Sequence, residues 1–154
     1  MKIANTAEIP FSAFTKENFF KLYFIDTGLL GALGNISPGA IIRQNDLFTT
    51  FKGAFCENYV AQELISSGYS PLYSWASNTS EIEFMLEIDS SVFPLEVKAG
   101  LSGKLKSLNV FAGKYKTPYR TRFSGRGLEI NEAARMHSYP LYLVSQFPLN
   151  RQGC

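Results

Sequence analysis

Residues Glu81 to Lys98 read as two β-strands folded back on each other. In Glu81-Ile82-Glu83-Phe84-Met85-Leu86-Glu87-Ile88 the residues Ile82, Phe84, Leu86 and Ile88 alternate onto one face. Asp89-Ser90 is a turn signal. Ser91-Val92-Phe93-Pro94-Leu95-Glu96-Val97-Lys98 then alternates again, with Phe93, Leu95 and Val97 on one face. A two-residue loop at Asp89-Ser90 predicts a hairpin in which Phe84 faces Leu95, Glu83 faces Glu96 and Glu81 faces Lys98. A loop one residue longer sets Phe84 against Glu96 and mismatches the apolar faces. The apolar pattern therefore selects the register that gathers Glu81, Glu83, Glu96 and Lys98 on one side.

Two carboxylates directly opposed across a strand pair repel. A divalent cation offsets that repulsion, and so does a raised pKa on one of them. Lys98 lies two residues beyond Glu96, about 7 Å along the strand, where it screens the carboxylates or orients a water. The other reading of the same pattern is a solvated outer face, and Glu87 on that side fits it equally well.

Around the hairpin the chain divides as follows. Residues 1–18 read as an irregular leader, because Pro10 and scattered polar residues give no period. Phe19–Ile25 is a short aromatic, apolar run. Asp26-Thr27 then caps a short helix through Leu33, ended by Gly34, and Ser37-Pro38-Gly39 is a break. Residues 1–40 are thus expected to be a leader and linker, and 41–150 the main domain. Phe55, Cys56, Tyr59, Val60, Leu64 and Ile65 predict a helix over Gly53–Ser66, closed by Gly68. Tyr73-Ser74-Trp75 predicts a strand. Leu105, Leu108, Phe111 and Tyr115 predict a helix to about Lys116, with Ser102 as its cap. Tyr119–Ser124 predicts a strand, turned at Gly125-Arg126-Gly127. Leu128–Ile130 and Leu141–Val144 read as strands or short helices. The fold class is α/β or α+β, a central mixed sheet flanked by helices.

Composition narrows the chemistry. Apolar residues make up 45 % and charged ones 18 % of the chain, which excludes intrinsic disorder. The net charge of +2 tolerates nucleic acid as a partner without demanding it. Two cysteines and one histidine cannot build a disulfide scaffold or a typical zinc centre, so a metal would have to be held by carboxylates. No run is long and apolar enough for a membrane span, and the N-terminus lacks a signal-peptide pattern. A cytoplasmic location with no membrane partner is the expectation.

Leu95-Glu96-Val97-Lys98 is a Glu-x-Lys at a strand end, preceded on the adjacent strand by Glu83, 13 positions earlier. This arrangement resembles the PD-(D/E)xK, or restriction-endonuclease-like, nuclease core. The resemblance implies a third carboxylate from the preceding helix, and Gly53-Ala54-Phe55-Cys56-Glu57-Asn58-Tyr59-Val60 offers Glu57. Glu83 departs from the commoner aspartate, and its extra methylene moves the carboxylate outward. A wider set of segments looks like one further family. These are Lys21–Leu30, Lys52–Asn58, Glu81–Phe84, Pro94–Gly100 and Tyr139–Tyr142. The chain is similar to the uncharacterised domain that follows the ATPase core in bacterial and archaeal AAA-type ATP-binding proteins. No G-x-x-x-x-G-K occurs, so no ATP site is expected. The chain then reads as the C-terminal part of a longer protein whose N-terminal AAA-type ATPase is its partner.

The resemblance implies a metal-dependent DNA endonuclease. Glu83, Glu96 and the backbone carbonyl of Val97 would hold Mg²⁺ or Mn²⁺, hard ions that suit oxygen ligands. Lys98 would orient the attacking water or stabilise developing charge, and Glu57 would complete or align the metal shell. Phosphate contacts are expected from Lys104, Lys106, Lys114, Lys116, Arg120, Arg122 and Arg126, a stretch with no acidic residue. The same cluster also suits a solvated helix face or a surface that docks the ATPase. Two other functions stay open: a catalytically silent DNA- or protein-binding module that regulates the ATPase, and a structural domain that mediates homo-oligomerisation. Trp75 and the phenylalanines are expected in the core, Cys56 as a buried small hydrophobe, and His137 as a surface residue in a loop-like stretch.

Overall fold

The computed structural model describes residues 1–43, 46–101 and 103–149. In chain order the elements are β1 (Lys2–Ala4), β2 (Thr15–Phe20), α1 (Thr27–Leu33), α2 (Pro38–Arg43), α3 (Asp46–Ser66), β3 (Tyr73–Ala76), β4 (Glu81–Ile88), β5 (Ser91–Val97), α4 (Lys106–Lys114), β6 (Arg120–Ser124), β7 (Glu129–Asn131) and β8 (Met136–Pro140). A 3-10 turn, Leu141–Gln146, follows β8. The strands form a single mixed sheet in the order β2-β1-β3-β4-β5-β6-β8-β7. The expected mixed sheet flanked by helices is what the chain builds.

The local chemistry of each boundary is visible. Asp26 accepts a hydrogen bond from the Leu29 backbone N–H at 3.1 Å and so caps α1, as its position ahead of Thr27 predicts. The break at Ser37-Pro38-Gly39 is also a helix start, with Ser37 Oγ accepting from the Ala40 N–H at 3.2 Å. Helix α3 begins earlier than its apolar pattern predicts and ends at Ser66, just ahead of Gly68, whose φ of +94° turns the chain back. Asp89 and Ser90 both take positive φ, 49° and 58°, the two-residue turn that matches strand twist. The hairpin register is the predicted one: Ile88 pairs with Ser91, Leu86 with Phe93 and Phe84 with Leu95.

Each face of the sheet is covered. On one side Val60, Ala61 and Leu64 of α3 pack on Phe84, Leu86, Leu95 and Phe123, together with Val144 of the 3-10 turn. On the other side Leu108 and Phe111 of α4 pack on Trp75, Met85 and Val92. Leu64 is fully buried, which alone contributes roughly 2 kcal/mol. Strand β5 is therefore buried nearly end to end, and the solvated-face alternative does not describe it. It does describe Glu81 and Glu87, which are exposed.

Strand β4 carries a bulge that its alternation does not announce. Tyr73 of β3 pairs with Met85, but Trp75 pairs with Ile82, so β4 advances three residues while β3 advances two. Ile82 consequently joins Met85 and Trp75 on the α4 side, not Phe84 on the α3 side as the alternation predicts.

Other expectations are corrected. Residues 1–18 are not an irregular leader: β1 pairs in parallel with β3 and antiparallel with β2, inside the main sheet. The stretch around His137 is a strand, β8, and His137 is buried there between β6 and β7. Phe19 and Phe20 are exposed, 58 % and 60 %, because β2 is an edge strand. Cys56 is half-buried. Leu141–Val144 takes the short-helix alternative and Glu129–Asn131 the strand. Helix α4 starts at Lys106 behind Leu105, which makes no side-chain cap bond, and Ser102 lies outside the described residues. Among the described residues no helix is long and apolar enough to cross a membrane.

Candidate active site

The β4–β5 pairing runs to Phe84–Leu95, and just beyond it Glu83 lies near enough to Glu96 and Lys98 for both charges to act on its carboxyl. Parallel pairing of β5 with β6 sets Glu96 beside Arg122. Lys98 follows β5 directly, its backbone N–H donating to the Phe123 carbonyl at 2.9 Å, which holds the chain against β6 past the last strand residue. The sheet thus delivers Glu83, Glu96 and Lys98 to one place.

Glu96 is almost sealed, with its side chain 3 % exposed. Lys98 Nζ lies 2.6 Å from Glu96 Oε1 and remains 29 % exposed, so the site reaches solvent along the lysine. Glu96 Oε2 and Glu83 Oε2 are both buried and accept no hydrogen bond. Burial pushes the Glu83 carboxyl up to about 7. The nearby carboxylates Glu96 and Glu57 add to that rise, whereas its own backbone N–H and Lys98 act against it. Of the two ways to relieve opposed carboxylates, a raised pKa on one of them is therefore present.

Glu81 does not join this group. The bulge turns it toward α3, where Lys21 forms ion pairs with both Glu81 and Glu57, the latter at 3.0 Å. Lys98 forms its ion pair with Glu96. Glu57 is held on the same side: its Oε1 also accepts from the Tyr23 hydroxyl. Burial and that hydrogen bond raise the Tyr23 pKa. Burial lowers the Lys21 pKa, but Glu81 and Glu57 outweigh it and leave the ammonium raised. Glu57 acts on Glu83 through its charge while its Oε1 is engaged by Lys21 and Tyr23.

Beside Glu57 on α3, Asn58 is buried and reads the backbone of Phe24 in both directions. Its Oδ1 accepts from the Phe24 N–H at 2.7 Å and its Nδ2 donates to the Phe24 carbonyl at 3.2 Å. Residues 21–24 are thereby strapped to α3 next to a cleft of about 300 Å³ lined by Lys21, Tyr23, Phe24, Leu30, Glu57 and Asn58. Lys21, Tyr23 and Asn58 were not among the expected site residues. Their signal is the polar Lys21 and Tyr23 inside an aromatic run, and an asparagine next to Glu57 on a helix face that is otherwise apolar.

The basic stretch does not act as one surface. Lys104, Lys106 and Lys116 are exposed. Lys114 sits over the Trp75 ring, 5.5 Å from its centroid. Arg120 donates to Asn109 Oδ1 and to the Ala134 carbonyl, and Arg126 to the Leu101 carbonyl. Arg122 is buried in the sheet, 7 % exposed. Burial and the neighbouring Arg126 lower its pKa, with Glu129 and Glu96 acting in the other direction. A wider cleft of about 800 Å³ lies elsewhere, lined by residues including Phe93, Tyr119, His137, Tyr139 and Leu149, and contains none of the expected catalytic residues.

Among the described residues no group of three or more His, Cys, Asp or Glu side chains is placed to hold a metal ion. The expected ligand set contains two such side chains, Glu83 and Glu96, with a backbone carbonyl as the third donor.

A family profile described as Domain of unknown function (DUF4143) matches residues 52–142. The match covers more than half of the 154 residues and contains Glu57, Glu83, Glu96 and Lys98. No curated protein and no solved structure matches the chain. The chain belongs to the DUF4143 family.

Proposed function

We propose that this DUF4143 domain is a divalent-metal-dependent phosphodiesterase acting on DNA, with a PD-(D/E)xK-like core, that works beside an AAA-type ATPase. One observation carries the reading: two carboxylates on adjacent strands, Glu83 and Glu96, each keep a buried oxygen with no partner, next to an ammonium that is partly open to solvent. Orphaned buried acceptors are costly and rare, and carboxylate oxygens are the donors that Mg²⁺ or Mn²⁺ prefers. The donor set therefore fits such an ion, held by Glu83, Glu96 and the carbonyl of Val97. A divalent cation there would acidify a bound water and stabilise negative charge on a phosphate.

The chain's own residues have separable tasks in this reading. Glu96 fixes Lys98 by an ion pair, so the ammonium orients the attacking water or meets charge developing on the phosphate. Glu83 must give up its proton for the site to fill, because burial holds its carboxyl near neutrality. Glu57, tethered by Lys21 and Tyr23, sets the local field and steadies the strap over residues 21–24. Lys104, Lys106 and Lys116 supply exposed positive charge for the DNA backbone.

A plasmid-nicking assay in Mg²⁺ or Mn²⁺ tests this. Wild type nicks the plasmid, and Glu96→Ala and Lys98→Ala each cut the rate by about a hundredfold or more. Equal nicking by all three proteins would show that the activity belongs to something else.

A second reading is favoured by a different observation. Glu96 is nearly closed off and one of its oxygens is taken by Lys98, as in a core that has kept its charges but lost catalysis. That domain would be a silent DNA- or protein-binding module regulating the ATPase. It predicts DNA binding without nicking, unchanged by Glu96→Gln.

A further inference from the structure

The turn end of the β4–β5 hairpin sorts charge between the two faces of the sheet. On the α3 side the acids Asp89 and Glu132 line the cleft that also holds Phe93 and Tyr139, and Glu132 Oε2 lies 3.6 Å from His137 Nε2. On the α4 side two adjoining clefts of about 210 and 540 Å³ share Lys116, Thr117 and Arg135. Arg120 lines the smaller one. Neither is lined by an acidic residue, and among the described residues no carboxylate lies within ion-pair distance of the three cations.

These cations are set in place by the fold. Arg120 donates to Asn109 Oδ1 and to the Ala134 carbonyl at an exposed position, and both acceptors are neutral. Its guanidinium is therefore fixed with its charge uncompensated. Its backbone N–H donates to the Arg135 carbonyl at 2.9 Å, which ties the β7–β8 turn to the start of β6. Arg135 itself takes a φ of 47°, a left-handed backbone that glycine adopts at lower cost. An arginine held there against its backbone preference points to a use for its side chain.

Helix α4 joins these clefts to the candidate active site. At its near end a Cβ on Gly103 would stand 3.1 Å from Lys98 Cδ. At its far end Ala112 and Tyr115 line the smaller cleft. The nine residues of α4 rise about 13 Å, the length of about four base pairs of duplex DNA. Lys104 and Lys106 are exposed at the near end and Lys116 at the far end. A series of cations along that length favours a long, regularly charged ligand over a single carboxylate.

We propose that Lys116, Arg120 and Arg135 form a second anchoring point for DNA, gripping backbone phosphates about four base pairs away from the candidate catalytic residues. Arginine forks match phosphate oxygens, and a grip on the flank sets the register of the duplex over Lys98. The choice of DNA rests on the phosphodiesterase reading, but the anchor itself needs neither metal nor catalysis.

Fluorescence anisotropy of a labelled DNA duplex in chelator, followed across salt concentrations, tests the anchor apart from the chemistry. Wild type binds. Arg135→Gly removes the guanidinium while suiting the left-handed backbone, so its urea midpoint stays at or above that of wild type. It weakens binding by about tenfold at low salt and lowers the salt slope by about one. Lys116→Ala, at an exposed position, acts in the same direction, whereas Lys16→Ala on the opposite edge strand β2 changes neither quantity. Binding by a wild type that fails to nick supports the anchor while removing the phosphodiesterase reading. The proposal is overturned if wild type does not bind, or if Arg135→Gly and Lys116→Ala bind like wild type. A poly-glutamate peptide that binds as tightly as the duplex and is equally sensitive to Arg135→Gly would give the clefts to an acidic protein segment and overturn it as well.

Discussion

Lys98 and Glu96 form an ion pair of 2.6 Å in which one partner is almost sealed and the other is partly open. The lysine is what lets a carboxylate sit 2 % exposed between Glu83 and Arg122. Removing it leaves Glu96 buried without its ion-pair partner. Lys98→Met should therefore destabilise the metal-free chain by about 2 kcal/mol in urea unfolding, less than a fully buried pair would because Lys98 still meets water. Adding Glu96→Gln to that variant should recover part of the loss. A double variant no more stable than Lys98→Met would show that the pair is not coupled.

The Glu83 carboxyl gives stability a distinct pH dependence. Its ordinary value is 4.5 and burial in the folded chain takes it to about 7. Between those values the folded chain retains a proton that the unfolded chain has released. Stability from this group is thus complete below the lower value, falls as pH rises, and levels off above the upper one. The slope is at most about 1.4 kcal/mol per pH unit, for a total on the order of 3 kcal/mol. Urea midpoints measured in chelator across this range should fall for wild type and stay flatter for Glu83→Gln. Parallel profiles would contradict the assignment.

The strap over residues 21–24 depends on one buried amide. Asn58 makes two hydrogen bonds to the Phe24 backbone, and nothing else among the described side chains holds that residue's N–H and carbonyl together. Asn58→Ala should cost about 1–3 kcal/mol and release the strap. Hydrogen exchange at residues 22–25 should then rise well beyond the change in α3 itself. Uniform acceleration across the chain would mean that the strap is not a separable unit.

Which parts of this structure were legible follows from where the pattern is local. The β4–β5 register could be read because Asp89-Ser90 fixes the turn and a slip by one residue would bury Glu96 against Phe84. Asp26 and Gly68 could be read because a cap and a left-handed glycine act within one turn of helix. The bulge at Glu83 could not, since the alternation runs through it unbroken; only pairing with Trp75 and Tyr73 of β3 reveals it. That bulge sends Glu81 to Lys21 and leaves Glu83 near Glu96. Strand β8 was hidden because His137 and Ser138 look like loop residues, although β6 and β7 enclose them on both sides. Arg122 was read as one of seven surface cations for the same reason: its burial is set by neighbouring strands and not by its own segment.

Calorimetric titration with Mn²⁺ above neutral pH, where Glu83 is ionised, tests the central claim most directly. Wild type should bind the ion, with affinity falling as pH drops below about 7 and Glu83 regains its proton. Glu83→Gln and Glu96→Gln should each weaken binding by about tenfold or more, the equivalent of about 1.4 kcal/mol. Absence of any binding by wild type, or equal binding by all three proteins, would contradict a metal held between these two carboxylates.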